Sequence, residues 1–550
     1  MTASPPRPPC RDERRGGLTW LGERAIGLRV RLPRASVSYR VERDLAIPMR
    51  DGANLLADHY VPTTASSRGV LLLRSPYGRR GLFPQITAGL YAERGYHVLL
   101  QSVRGTFGSD GVFYPGVDEV ADGAETVDWL RRQSWFTGRY ATVGASYLGY
   151  TQWAQLVSPP PELAAAAITM ASHDFALTGW STGAYALADL FGWSFQIAEQ
   201  EVSGSVRRLL NGRTFLKRVT AAMTTLPLAE AGGPSLASGA PWFRDWLDHP
   251  DPRDEYWNSG RMTSALGSAS IPVLLVSGWQ DVFADQTLEQ YRRLRQRGVD
   301  VALVVGPWTH AQGGGDAVRE SLAWLDEHLG GSSRRMSRVR VFVTGGPGWC
   351  DLQDWPPTSG EFVLYPGAGA VLAGVPSTAE GAASRFTYDP ADPTPTLGGR
   401  LLFGEGGYRD DTRLATRPDV AAFTGQPLAN DLEVIGTPRV ELVHSTDLPS
   451  ADVFVRISEV DPKGHSRNVS DGYVGLPRDR SPVLRVDMDA IAHRFRAGKR
   501  IRLIVAGGSF PRFARNLGTG EPTATGTGLV RCTHVVTHAG SRLILPVPGL

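Results

Sequence analysis

Between Val70 and about Gly330, short apolar runs alternate with glycine-containing turns and segments of helical period, the pattern of a parallel sheet covered by helices. The runs begin at Gly69, Tyr96, Ala141, Ala165, Pro272 and Val301, and each is nearly continuous in apolar residues, as strands buried on both faces require. Val318, Leu322, Leu325 and Leu329 recur at i, i+4, i+7 and i+11, which makes one face of a helix. The stretch from Asp285 to Arg297 puts Leu288, Tyr291 and Leu294 on another stripe. From about Ser172 to Ser264 the strand-like runs stop, and helical patterns rich in Leu, Trp and Ala take over. The aromatic side chains there, among them Trp180, Phe191, Trp193, Phe195, Trp242 and Trp246, suit either a cap over an apolar pocket or the packing of a small helical subdomain. After about Ser337 short alternating segments such as Val339-Arg340-Val341-Phe342-Val343 are separated by Gly, Pro and Asp turns, an all-β texture of the sandwich or jelly-roll kind.

These changes of texture divide the chain into an N-terminal extension (1–34, partly disordered), a first part of an α/β core (35–171), a helical insertion (172–264), a second part of the core (265–336) and an all-β domain (337–550). A length of 550 residues fits two or three domains, and 42% hydrophobic with 21% charged residues is an ordinary globular composition. The net charge of +3 provides no field to attract nucleic acid. Cys10, Cys350 and Cys532 are too few and too scattered for a disulfide framework, so a reducing compartment is expected. Arg14-Arg15 followed by Leu18 could begin an export signal, but Glu23 and Arg24 interrupt it, and no run approaches the roughly 20 apolar residues of a membrane span. A cytoplasmic protein is therefore expected, with residues 1 to about 17 disordered.

The candidate chemistry starts at Gly144-Ala145-Ser146-Tyr147-Leu148-Gly149, where an apolar run meets the start of a helical stretch. A serine on such a tight strand-to-helix turn is a nucleophile elbow, although its second glycine stands at +3 rather than +2. A serine hydroxyl needs a histidine to take its proton and a carboxylate to orient that histidine. Only His310, among 11 histidines, directly follows a buried-looking strand of the α/β region and lies downstream of a similarly placed acid. That acid is Asp281, one strand earlier, in Gly278-Trp279-Gln280-Asp281. The order Ser, acid, His is that of α/β hydrolases, and both loops fall where open α/β sheets place their ligands. Taken singly, Asp281 could cap a helix, with Asp285 the nearer cap, and His310 could be structural. Ser509, another glycine-preceded serine, lacks a following histidine in such a context and is read as structural. The histidines show no metal-ligand spacing, so neither metal nor cofactor is expected.

The chain resembles the cocaine-esterase-like serine hydrolases, related to X-prolyl dipeptidyl peptidases and α-amino acid ester hydrolases. The likeness runs nearly end to end, through Met49-Arg50-Asp51-Gly52, Arg74-Ser75-Pro76-Tyr77, Arg104-Gly105, Gly108-Ser109-Asp110-Gly111, the Ser146 motif, Gly278-Trp279-Gln280-Asp281 and Gly306-Pro307-Trp308-Thr309-His310. Gly507 to Asn516 resembles a late β-domain motif of the family, from which Leu517-Gly518 depart. The resemblance implies an α/β-hydrolase core with an inserted helical cap and a C-terminal jelly-roll domain. It also implies Ser146 as nucleophile, His310 as base and then acid, Asp281 as orienting carboxylate, and an oxyanion hole from the Tyr147 N–H and the Tyr77 hydroxyl.

The α-amino acid ester hydrolases place carboxylates two and three residues after the triad aspartate to bind an ammonium, whereas this chain has Phe283 and Ala284 there. Phe283 instead suggests an apolar or aromatic acyl pocket, with Trp180 and Trp193 as further walls. The expected activity is hydrolysis of an acyl ester through an acyl-enzyme. An X-prolyl dipeptidyl-peptidase type of amide hydrolysis is the alternative, with Glu199, Glu201 or Asp174 holding the amino terminus; acyl transfer to a small alcohol or amine, or a noncatalytic binding protein, are further readings. The expected partner is a small-molecule ester or amide, with neither nucleic acid nor membrane, and a homodimer is left open.

Overall fold

A computed structural model describes residues 12–14, 17–64, 66–201, 214, 217–331, 337–377, 379, 381–476 and 481–549. Eleven strands form its larger sheet: β1 (Asp12–Arg14), β2 (Tyr39–Pro48), β3 (Asn54–Pro62), β4 (Gly69–Ser75), β5 (Tyr96–Ser102), β6 (Tyr140–Ala145), β7 (Leu163–Thr169), β8 (Val273–Gln280), β9 (Val301–Thr309), β10 (Val339–Val343) and β11 (Gly348–Leu352). Their order is β1-β2-β3-β5-β4-β6-β7-β8-β9-β10-β11. Neighbours from β5 across to β10 are parallel, while β1 to β3 and β11 flank them antiparallel. Every residue of β4 and β8 is buried, which is why these strands read as unbroken apolar runs.

Eleven helices enter the description: α1 (Gly17–Arg29), α2 (Leu82–Ala92), α3 (Glu119–Leu130), α4 (Tyr147–Leu156), α5 (Phe175–Trp180), α6 (Leu187–Glu199), α7 (Gly233–Gly239), α8 (Trp242–Asp248), α9 (Ala265–Ser268), α10 (Ala284–Gln296) and α11 (Gly314–His328). The two-residue period of the strands sorts their side chains between two cores. Leu71, Leu73, Val98 and Val304 pack against α2 and α11. Val70, Leu72, Ile168 and Leu275 pack against α3, α4 and α10. The helical insertion, α5 to α8, follows β7 and joins the second core through Phe175, Trp193, Trp242 and Trp246; no strand occurs among its described residues.

From Ser359 onward the chain builds a second, ten-stranded sheet. Its last strand, Cys532–Pro548, pairs with Ser359–Gly367, Ala383–Tyr388 and Arg439–Thr446. No helix among the described residues is long and apolar enough to cross a membrane.

Two placements differ from expectation. Val339–Val343 pairs parallel with β9 and so extends the core sheet, although its alternation reads as all-β. One face of this strand, next to last in the sheet, is half-exposed, which produces the two-residue pattern. Asp12–Arg14, within the stretch expected to be disordered, pairs with β2, and α1 starts at Gly17; residues 1–11 lie outside the described residues.

Candidate active site

Tyr77, Ser146, Asp281 and His310 follow the carboxyl ends of β4, β6, β8 and β9, so strand direction alone brings all four to one edge of the sheet. Ser146 stands between β6 and α4 with φ 60° and ψ −127°. Such a conformation costs a residue with a side chain about 1 to 3 kcal/mol and persists only where the surroundings impose it. Here the Ser146 N–H bonds to the Thr169 carbonyl at 3.0 Å, while the Gly149 and Tyr150 N–H groups bond to the Ser146 carbonyl at 2.8 and 3.0 Å. The unusual glycine spacing has a steric cause. A Cβ at Gly144 would lie 2.4 Å from Leu148 Cβ, and one at Gly149 would lie 2.4 Å from Ala171 Cβ. The crossing with the segment after β7 therefore falls at +3, and Leu148 at +2 is free to keep a side chain.

Asp281 is fully buried, and both its carboxylate oxygens are engaged. Oδ1 lies 2.7 Å from His310 Nδ1, and Oδ2 accepts a hydrogen bond from Ser277 Oγ at 2.9 Å. A carboxylate in that position accepts a hydrogen bond from Nδ1–H, which keeps the ring proton on Nδ1 and leaves Nε2 as the ring's acceptor. The Phe283 ring stands edge-on to the His310 ring, with centroids 5.3 Å apart.

The Tyr77 hydroxyl is hydrogen-bonded to the Ser146 side chain and to the Tyr147 backbone N–H, and it accepts a bond from Trp193 Nε1 at 3.1 Å. Burial raises the phenol above its ordinary pKa, so it stays a proton donor. Because its oxygen accepts from Trp193 and from the Tyr147 N–H, its own proton is directed at Ser146, the place where a substrate carbonyl must arrive. Tyr147 is pinned by its side chain: its hydroxyl donates to Glu119 Oε1 at 2.9 Å, and Glu119 pairs with Arg74 at 2.9 Å. Arg74 belongs to the same Arg-Ser-Pro-Tyr segment as Tyr77, so one buried ion pair links the two backbone turns that carry the Tyr77 hydroxyl and the Tyr147 N–H.

Ser146, Tyr77, Tyr147, Trp193 and Phe283 line one cavity of about 30 Å³, closed by Phe175, Leu190 and Leu402. Trp180 does not line it: its Nε1 donates to the Trp246 carbonyl and its ring packs on Tyr185 inside the insertion. The proposed carboxylates of the insertion are engaged elsewhere. Asp174 caps α5 and pairs with Arg261, Glu199 pairs with Arg218, and Glu201 accepts the Phe107 N–H. Asp285 does not cap α10, whose N-cap is Phe283, and reaches Arg400 at 2.6 Å instead. Ser509 contacts Thr396 Oγ1 at 3.0 Å, away from the cavity. Among the described residues Asp300, Glu327 and His328 could gather round a cation, and Arg338 already pairs with both acids.

The sequence reading missed Asp189, a buried carboxylate on α6 that lines the cavity. Its Oδ1 accepts the Leu402 N–H at 2.8 Å. Burial pushes its pKa up to about 6, against the pull of that N–H, Arg512 and His310. The one signal available was spacing, since Asp189 and Trp193 stand at i and i+4 on one helix face.

Residues 51–312 match the family described as X-Pro dipeptidyl-peptidase (S15 family), and residues 333–543 match its C-terminal non-catalytic domain. A cocaine esterase from Rhodococcus sp. (strain MB1 Bresler) is 32% identical over 93% of this chain and 99% of its own. An aminopeptidase from a marine sediment archaeon (Thaumarchaeota archaeon) superposes with a TM-score of 0.78 at 23% identity, covering 93% of this chain and 97% of its own. An α-amino acid ester hydrolase does so with a TM-score of 0.77 at 22% identity, covering 92% and 96%. These two structural likenesses establish the shared fold.

Proposed function

Since the chain belongs to the S15 X-Pro dipeptidyl-peptidase family and is a serine hydrolase of the carboxylic-ester class, we propose that it cleaves acyl esters through Ser146, His310 and Asp281 by way of an acyl-enzyme. The observation that carries this reading is the convergence on one cavity of the strained Ser146, the Tyr77 hydroxyl, and Phe283 set against the His310–Asp281 pair. Ser146 Oγ adds to the ester carbonyl while His310 Nε2 takes its proton. The oxyanion then forms between the Tyr147 N–H and the Tyr77 hydroxyl, donors each worth about 3 to 4 kcal/mol to such a transition state. His310 returns the proton to the leaving alkoxide, and a water activated by the same imidazole releases the acid.

The aromatic and aliphatic walls beside Ser146 suit an apolar acyl group. Thr178, Asp189 and Val282 also line an adjoining chamber of about 700 Å³, which has room for the rest of a larger substrate. The test is a comparison of kcat/KM on matched aryl acyl esters and X-Pro anilides. The ester should be favoured by about a hundredfold or more, because the anilide nitrogen leaves only when protonated; preference for the anilide would place the protein with the peptidases.

Asp189 favours a second reading, in which the substrate also bears a cationic nitrogen. The sequence argued against an ammonium because positions 283 and 284 lack acids, but α6 supplies one from another direction. With the carboxyl near pKa 6, Asp189 is neutral at pH 5 and an anion at pH 7, so preference for an amine-bearing ester over its neutral isostere should rise through that interval. Asp189→Asn keeps an oxygen for the Leu402 N–H and removes the charge. It should lower kcat/KM about tenfold more for the amine-bearing ester than for the isostere and abolish the rise; equal losses on both would end this reading.

A further inference from the structure

Between Gly399 and Gly407 the all-β part sends a loop into the core. Its base is closed by reciprocal hydrogen bonds of 2.8 Å between those two residues. Leu402 forms a wall of the Ser146 cavity, and its N–H holds Asp189. Phe403 fills the space that Gly192 leaves on α6, since a Cβ there would lie 2.8 Å from its ring. Gly407 sits against Thr309, the residue before His310; a Cβ at Gly407 would lie 2.9 Å from Thr309 Cγ2. The same loop thus touches the cap, the cavity and the histidine turn.

Arg400 adds the acid turn. Its Nε donates to the Trp279 carbonyl at 3.0 Å, two residues before Asp281. Its Nη1 meets Asp285 at 2.6 Å, four residues after Asp281, and Asp489 at 3.0 Å. One planar guanidinium therefore brackets the segment that presents the carboxylate to His310. The group is almost completely buried, and its Nη2 has no hydrogen-bond partner among the described residues. Burying an arginine with an unpaired donor is a costly way to hold two domains together, since an apolar contact of equal size would do so better. That cost makes sense where the charge itself has a use.

We propose that Arg400 is a positioning residue for the Asp281–His310 pair, so that the domain described in this family as non-catalytic supplies a working part of the active site. The proposal rests on the reading of Ser146, His310 and Asp281 as the triad. Arg400 fixes the turn on both sides of Asp281, through the Trp279 carbonyl before it and Asp285 after it, so that the carboxylate stays 2.7 Å from His310 Nδ1. Its positive charge also lies close enough to act on Asp281 itself.

The test uses full-length protein and a neutral aryl ester. Arg400→Met is expected to lower kcat about tenfold or more with KM within about twofold. Arg400→Lys, which keeps the charge and loses the fork, should recover only part of that kcat, again with KM near wild type. Asp285→Asn, on a side chain 70% exposed, should leave the melting temperature unchanged and lower kcat severalfold with KM unmoved. Should Arg400→Met fail to fold, Asp285→Asn and Arg400→Lys decide. Wild-type kcat in the folded variants, or losses carried by KM instead of kcat, would overturn the proposal. Failure of the triad reading looks different: the wild-type protein itself would not react with a fluorophosphonate at Ser146.

Discussion

Ser146→Ala is expected to lower kcat on an aryl ester by about 10⁵- to 10⁶-fold, while KM changes severalfold at most. The loss is this large because the hydroxyl is the group that forms and breaks the covalent bond, and no neighbouring side chain can stand in for it. Ser172, which also lines the cavity, is not on the elbow. The Tyr77 hydroxyl and the Tyr147 N–H remain in place in the variant, so residual turnover above the uncatalysed rate reports what they supply to an attacking water. Folding should be preserved. Alanine has a smaller side chain in the same backbone conformation, and the N–H and carbonyl bonds that hold the turn are main-chain. Steady-state kinetics beside a thermal melt check both halves of the expectation.

Asp281→Asn should lower kcat about 10⁴-fold with the fold intact. The aspartate makes two directional bonds, accepting from His310 Nδ1 on one oxygen and from Ser277 Oγ on the other. In the amide, an oxygen kept toward Ser277 turns the NH₂ group toward Nδ1. The imidazole then carries its proton on Nε2, the wrong tautomer to receive one from Ser146. An oxygen kept toward His310 instead leaves the NH₂ facing Ser277, and the negative charge that would stabilise the imidazolium is gone in either case. Since Asp281 is fully buried, no water can replace that charge. A loss of only a few fold would mean that the carboxylate is a structural anchor for Ser277 and that the histidine is oriented by something else.

Those two residues, with His310, were legible in the sequence for a common reason. Each lies one position beyond a strand that opens as an apolar run, so local pattern gave both the strand and the edge to which its loop leads. Tyr77 was marked only by the family resemblance of its Arg-Ser-Pro-Tyr segment. Asp189 and Arg400 were not legible, because their roles depend on contacts across large separations in the chain. Asp189 meets Leu402, 213 positions away, and Arg400 meets the Trp279 carbonyl, 121 away. Trp180 and Trp193 looked alike as aromatic residues of the insertion. What separates them is helix phase: Trp193 shares the face of α6 that carries Asp189 and Leu190, whereas Trp180 ends α5 and turns its Nε1 inward to Trp246. The alternation of Val339–Val343 does not reveal which sheet it joins, because half-burial near a sheet's margin has the same two-residue period in either domain. Asp285 read as a helix cap from position alone, but an ion pair with an arginine of the distant all-β part took its carboxylate instead.

The mechanism turns on which atom attacks the ester. Folded full-length protein treated with a fluorophosphonate, digested and mapped by mass spectrometry should carry one adduct, on Ser146. That adduct should be absent from Ser146→Ala and slow to form in Asp281→Asn. An adduct on a different serine, or none on Ser146 in protein that still turns over the ester, would contradict it.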